Sequence, residues 1–146
     1  MPVKEISFTL ENVPGKFSEV TDYLGENGID IIALNVTEMA DINAVRFVAS
    51  DPEKAVNVLR SHGYSVKITD VLAVEAPNHP GGLNAVLRPL KEVSINISYL
   101  YACLGRGEKT VLIIGVDKMP EAIEALKKNW VHLYDEELCT LRQVVG

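Results

Sequence analysis

The sequence predicts an α+β protein made of two tandem βαββαβ units, and three observations carry that prediction. First, the chain repeats itself. A shift of 66 residues pairs Asn12 with Asn78, Pro14 with Pro80, Gly15 with Gly81, Val20 with Val86, Leu24 with Leu90 and Ile29 with Ile95. The register continues through Ile31 and Ile97, Leu34 and Leu100, Val45 and Val111, and Asp51 and Asp117; one extra residue near Pro120 then moves the offset to 67 and pairs Leu59 with Leu126. Second, apolar residues within each copy switch from alternate positions to every third or fourth, the periods of a half-buried strand and an amphipathic helix. Third, with 146 residues, 47% of them hydrophobic and 23% charged, the chain has the balance of a globular protein and room for one ordinary domain or two very small ones.

In the first copy Ile6, Phe8 and Leu10 alternate with Ser7, Thr9 and Glu11, which is a strand with one buried face. Pro14-Gly15 stops it, and Phe17, Val20 and Leu24 then recur at helical spacing until Asn27-Gly28 supplies a C-terminal stop. Residues 31–38 and 44–49 are rich in β-branched and apolar side chains and read as a hairpin around Met-Ala-Asp-Ile-Asn. Asp51-Pro52 opens the second helix, with Asp51 as N-cap and Pro52 in the first turn. Ala55, Val56 and Leu59 form its apolar face, His62-Gly63 ends it, and residues 64–68 make the fourth strand. The second copy repeats this with strand 71–76, helix 83–93, strands 95–103 and 110–116, helix 120–129 and strand 131–134. The first domain is thus expected over residues 1–68 and the second over 69–146, joined at Thr69-Asp70 without a flexible linker; a tail at 135–146 lies outside both copies, with a helical turn at Asp135. Leu112, Ile114 and Val116 alternate with Val111, Ile113 and Gly115, so this strand is apolar on both sides, and a homodimer is the economical cover for the second face.

Charge and composition exclude several functions. Fourteen basic against twenty acidic residues give a formal charge of −6, which repels nucleic acid. No apolar run is long enough to span a bilayer and no leader segment opens the chain, so a cytoplasmic protein with no membrane contact is expected. Cys103 and Cys139 form neither a disulfide framework nor a zinc motif. RNA-recognition domains of this topology need stacked aromatics amid basic residues, whereas Phe8 and Phe47 stand alone. An acylphosphatase-like enzyme needs an arginine in the loop after the first strand, and a metal carrier needs two cysteines there; the chain has neither. His62, His79 and His132 are scattered and no nucleophile has a base beside it, so neither catalysis nor a cofactor or metal is expected.

The repeated Asn-x-Pro-Gly fits binding better. Proline fixes the backbone ahead of the helix, glycine permits close approach, and the first N–H groups of the helix are left for a partner such as a carboxylate. A turn-forming role for Asn and Gly explains a single such loop equally well, but two at matched register favour a site. Asn12 or Asn78 adds donors and an acceptor, and His79 could form a side wall. A second element lies at the start of the second strand of each copy, where Asp30 in GIDII and Asn96 in SINIS interrupt apolar runs. Asp30 could hold an ammonium group and Asn96 could bridge both ends of a zwitterion. Tyr99 and Tyr101 are candidates for a pocket floor, although strand tyrosines more often pack on the sheet.

NVPGKFSEVTDYLGENGIDI and NHPGGLNAVLRPLKEVSINISYLY resemble the opening of ACT domains, the small regulatory modules of amino-acid metabolism. The resemblance covers residues 3–134 as two copies and implies two tandem ferredoxin-like units, with antiparallel sheets side by side and helices on one face. It also implies that amino acids bind between paired domains, at the loop after the first strand of one and the start of the second strand of the other. By position, this implicates Asn12, Val13, Pro14, Gly15 and Asp30 in the first copy, and Asn78, His79, Gly81, Gly82, Leu83, Asn96 and Ile97 in the second. The second copy matches better, since the first carries Lys16 and Asp30, while Ala76 departs from relatives with a ligand-contacting histidine there. The expected function is non-catalytic: an amino-acid-binding regulatory protein, without an attached enzyme domain, that passes occupancy to a metabolic enzyme. The alternative is a module that only assembles such an enzyme.

Overall fold

The computed structural model describes residues 2–135. Their order is β1 (Val3–Glu11), α1 (Lys16–Glu26), β2 (Ile31–Met39), β3 (Ile42–Ala49), α2 (Pro52–Ser61), β4 (Lys67–Ala76), α3 (Asn84–Glu92), β5 (Ile97–Ala102), β6 (Thr110–Val116), α4 (Met119–Lys128) and β7 (Leu133–Tyr134). The chain divides into two compact units, one of Lys4–Thr69 and the other of the residues from Asp70 onward with those before Lys4. Each is a ferredoxin-like arrangement of antiparallel strands and two helices.

In the first unit β3 lies between β2 and β1, with Ile6 opposite Phe47 and Phe8 opposite Val45. Alternation along β1 sends Ile6, Phe8 and Leu10 into a core completed by Val20 and Leu24 of α1, Val45 and Phe47 of β3, and Ala55, Val56 and Leu59 of α2. Phe8 meets Phe47 and Tyr64 edge to face, at centroid separations of 6.2 and 5.3 Å. The β2–β3 turn is tighter than the sequence suggests: pairing runs to Met39 and Ile42, so Ala40 and Asp41 alone connect the strands. Asp51 caps α2 as expected, its carboxylate accepting from the Lys54 amide at 3.1 Å.

The second unit orders its strands β5-β6-β4-β7, with Leu72 opposite Ile114 and Val74 opposite Leu112. Its core joins Leu72, Val74, Leu112 and Ile114 to Val86 and Leu90 of α3 and Ala122 and Leu126 of α4. The greatest departure from expectation lies at the junction. Two strands, at 64–68 and 71–76, are expected there, but β4 is one strand, Lys67–Ala76, and Tyr64 precedes it as irregular chain packed on the first core. Thr69-Asp70 contains neither proline nor glycine, and nothing in it obliges the backbone to turn. The helical turn expected at the tail and Cys139 lie outside the described residues.

The four helices among the described residues end in the same way. An amide five residues on returns to the last turn, from Ile29 to Leu24 O, Tyr64 to Leu59 O, Ile95 to Leu90 O and Val131 to Leu126 O, at 2.9–3.1 Å. This closure needs a left-handed residue just before the returning amide. In the first unit Gly28 and Gly63 supply it, at φ 70° and 88°; in the second Ser94 and Trp130 adopt φ 58° and 60°. The glycine stops of the first copy are therefore lost from the sequence of the second while their geometry persists.

Two measurements test these features. Trp130 is 94% exposed; Trp130→Gly removes the left-handed penalty without opening the core, and should raise unfolding stability by about 1 kcal/mol, read as a higher denaturant midpoint at unchanged m-value. In the second unit Tyr134 donates to Glu75 Oε1 at 2.7 Å, and burial, then this hydrogen bond, pushes the phenol up from 10.0 to about 12. The folded chain therefore favours the neutral phenol: its contribution is complete below the unfolded value near 10 and is lost as pH rises through about 12. A spectrophotometric tyrosine titration should lose one late-ionising group in Tyr134→Phe, and the variant should show a shallower fall in stability across that window.

Candidate functional site

The repeated loop begins where β1 or β4 ends. Gly15 and Gly81 occupy matched left-handed conformations, at φ 86° and 81°. Both asparagines tie their loop to the turn between the next two strands of the same unit. Asn12 Oδ1 accepts from Asn43 Nδ2 at 3.4 Å and the Asn12 amide donates to Asp41 O at 3.4 Å, while Asn78 Nδ2 donates to Glu108 O at 3.1 Å. Repetition of this asparagine thus has a structural cause.

The two helix starts differ. In the first unit the Lys16 amide reaches Val13 O and the Glu19 amide reaches Gly15 O, so the Phe17 and Ser18 amides have no acceptor among the described residues. In the second, Gly82 donates to His79 O at 2.8 Å, Asn84 to Gly81 O at 3.1 Å, Ala85 to Gly82 O at 3.1 Å and Val86 to Leu83 O at 3.0 Å. Tight turns have consumed these donors; among the described residues the Gly81 and Leu83 amides are left over. Two amides are thus left over at each start, but at α3 they are separated by donors turned back into the loop. Gly82 explains the difference. A Cβ there would stand 1.9 Å from Pro77 O and 2.9 Å from His79 O, so glycine is needed for the loop to wind onto its own backbone.

Beside this loop the second unit forms an open pocket of about 550 Å³, lined by Ala76, Pro77, Asn78, His79, Pro80, Leu83, Leu100, Thr110 and Leu112. His79 Nδ1 lies 2.9 Å from Pro80 O. A carbonyl can only accept, so Nδ1 is the donor in this contact. With Asn78 Nδ2 bonded to Glu108 O, the polar lining of the pocket is Asn78, His79 and Thr110 on a mainly apolar wall. The first unit has a smaller pocket, about 200 Å³, lined by Thr9, Leu10, Glu11, Lys16, Ile42 and Tyr64; Asn12, Val13, Gly15 and Asp30 are not in its lining.

Neither Asn96 nor Ile97 lines the pocket of the second unit. Asn96 is instead held by Asp117: its amide donates to Oδ1 at 3.1 Å and its Nδ2 to Oδ2 at 3.2 Å, while the Asp117 amide donates back to Asn96 O at 3.3 Å. Asp30 differs, its amide donating to Ser50 Oγ at 2.9 Å and the Ser50 amide to Asp30 O at 2.9 Å, and its carboxylate is exposed. Tyr99 and Tyr101 do not line the pocket either. Tyr99 lies over Gly115, its cross-strand partner, where an added Cβ would sit 2.5 Å from the ring. Sequence reasoning missed Leu100, Thr110 and Leu112 as lining residues, and Glu108 and Asp117 as holders of the two asparagines. The match of Asp51 with Asp117 followed at once by a change of offset was the visible signal for Asp117. Among the described residues no group of His, Cys, Asp and Glu is placed to hold a metal ion, and no helix is long and apolar enough to cross a membrane.

The model of the ACT domain pair family matches residues 1–142. Among solved structures, protein BT0572 from Bacteroides thetaiotaomicron is 35% identical, with a TM-score of 0.89 over 97% of this chain and 98% of that one. The ligand-free regulatory subunit of aspartate kinase from Thermus thermophilus is 15% identical, with a TM-score of 0.66 over 88% and 93% of the two chains. The corresponding subunit from Thermus flavus is also 15% identical, with a TM-score of 0.62 over 89% and 94%. No curated protein matches the chain. The repeat, the two ferredoxin-like units and the family match give one conclusion: this chain belongs to the ACT domain pair family.

Proposed function

We propose that this chain is a non-catalytic regulatory protein that binds a small amino acid or related zwitterion and transmits its occupancy to a partner enzyme. The observation that carries the reading is the pocket beside the α3 start, where Asn78, His79 and Leu83 from the repeated loop meet Thr110 and an apolar wall. Its volume of about 550 Å³ accommodates an amino acid, and its mixture of one apolar wall with a few polar groups suits one. The leftover Gly81 and Leu83 amides are available to the carboxylate, with the helix dipole behind them. The pocket is open, so groups from outside its own lining would complete the enclosure. Similarity to solved regulatory subunits of aspartate kinase supports a regulatory role and an enzyme of amino-acid metabolism as partner. Regulation then follows from differential binding: a ligand that favours one arrangement of the loop shifts the chain toward it.

One observation favours the second reading, a ligand-independent assembly module. Most donors at the α3 start, and the side chains of Asn78 and Asn96, already have partners within the unit. A calorimetric titration of the full chain with each of the twenty L-amino acids separates the two. Binding of at least one, weakened about tenfold in Asn78→Ala, supports sensing. Silence toward all twenty sinks sensing and leaves assembly.

A further inference from the structure

The two units fill the space beneath the repeated loop differently. In the first, Leu10 near the end of β1 stands opposite Asn43; in the second, Ala76 at the end of β4 stands opposite Thr110 in the same register, with Ile6 opposite Phe47 and Leu72 opposite Ile114 further back. Leu10 is 3% exposed and belongs to a core against which Phe17, from the first turn of α1, and Tyr64 pack. Each of these three has a smaller counterpart in the second unit. Ala76 takes the place of Leu10, and Leu83 that of Phe17, two residues after the loop glycine. Val131, whose amide closes α4 as that of Tyr64 closes α2, takes the place of Tyr64. Leu83 is 45% exposed and lines the pocket. The cavity of about 550 Å³ therefore opens onto the core itself: Ala76 and Leu112 on its wall belong to that core, and Leu100 packs against it. The first unit's pocket, with Leu10 and Tyr64 in its lining, measures only about 200 Å³.

We infer that the ligand of the second unit is an amino acid with an apolar side chain, and that Ala76 is the specificity-determining residue that leaves room for it. The inference deepens the proposed amino-acid-binding function and rests on it. Polarity falls with depth in the pocket: Asn78 and His79 are exposed and Thr110 is half-buried, whereas Leu112 and Ala76 are 5% and 4% exposed. The charged ends of a zwitterion keep water and polar partners at the mouth, and the side chain is left to enter. Among the described residues no Asp, Glu, Lys or Arg side chain lines the cavity. A charged side chain placed against Leu100 and Leu112 would lose its water without gaining a partner. An apolar one gains with every methylene removed from water. Leucine in place of Ala76, as the first unit has at Leu10, would occupy that room.

Calorimetry on the full chain with the twenty L-amino acids, extended by 2-aminobutyrate and norvaline, tests this. For the wild type, affinity should rise about fourfold with each methylene added along glycine, alanine, 2-aminobutyrate and norvaline. Aspartate, glutamate, lysine and arginine should bind at least about tenfold more weakly than norvaline. Ala76→Leu should abolish the rise while changing the affinity for glycine little, and Ala76→Val, a smaller filler, should cut the rise short. A merely structural defect would instead lower every member of the series alike, and the melting temperature of each variant without ligand reports its folding. A wild type that binds amino acids without the rise, or that prefers a charged one, overturns the apolar class and leaves the proposed function standing. A rise that persists in Ala76→Val and Ala76→Leu, or a uniform loss in both, overturns the role of Ala76 alone. A wild type that binds none of the amino acids overturns both the proposed function and this inference.

Discussion

The contact on which the rest of the site depends is the bond from Asn78 Nδ2 to Glu108 O, with its counterpart between Asn12 and Asn43. One exposed hydrogen bond of this kind contributes about 1 kcal/mol, too little to decide the fold. Its effect is positional. It fixes where the helix-start loop stands relative to the turn between the next two strands, and so sets the mouth of the pocket. Because the loop is also wound tightly onto Pro77 through Gly82, its backbone has little freedom of its own. The asparagine is the adjustable link between a rigid loop and an exposed turn.

Duplication and divergence have acted differently on backbone and chemistry. Both units keep the left-handed loop glycine and all four helix closures, even where Ser94 and Trp130 replace the residue best suited to the conformation. Hydrogen-bond ownership has changed freely by comparison. One copy uses its aspartate to cap a helix and the other to hold an asparagine, and the second turns more of its helix-start amides back into the loop than the first. A backbone bond in a closed helix end must be satisfied by something, whereas an exposed side chain has water as an alternative partner. The fold is therefore the more constrained of the two.

What the sequence made legible follows the same division. The repeat, the alternating strands and the Asp51-Pro52 helix start rest on burial and local backbone preference, which a single chain displays as periodicity. The merging of two strands into β4 was hidden because an unbroken strand and a strand pair without turn residues look alike until the backbone is traced. At the site, Asn78 and His79 were identifiable from a loop repeated at matched register, and both line the pocket. Leu100, Thr110 and Leu112 were not, since their place on the pocket wall follows from strand pairing across about thirty residues of chain. The tight winding of the loop before α3 was invisible for another reason. Gly82 read as room for a ligand, and the room is filled by the chain's own carbonyls.

The bond Asn78 already makes has a mechanical consequence in the proposed reading. A ligand that draws on the Nδ2 proton Asn78 gives to Glu108 O must take it from that carbonyl, so part of the binding free energy goes into releasing the turn that precedes β6. That turn contains Gly105 and Gly107, both at positive φ. Occupancy of the pocket would then be reported as a change in the turn. The affinity of such a ligand is lowered by the same amount, because the bond that couples site and turn is the one it breaks. Tight binding and strong coupling therefore oppose each other at Asn78, and a regulator working at metabolite concentrations has reason to favour the coupling.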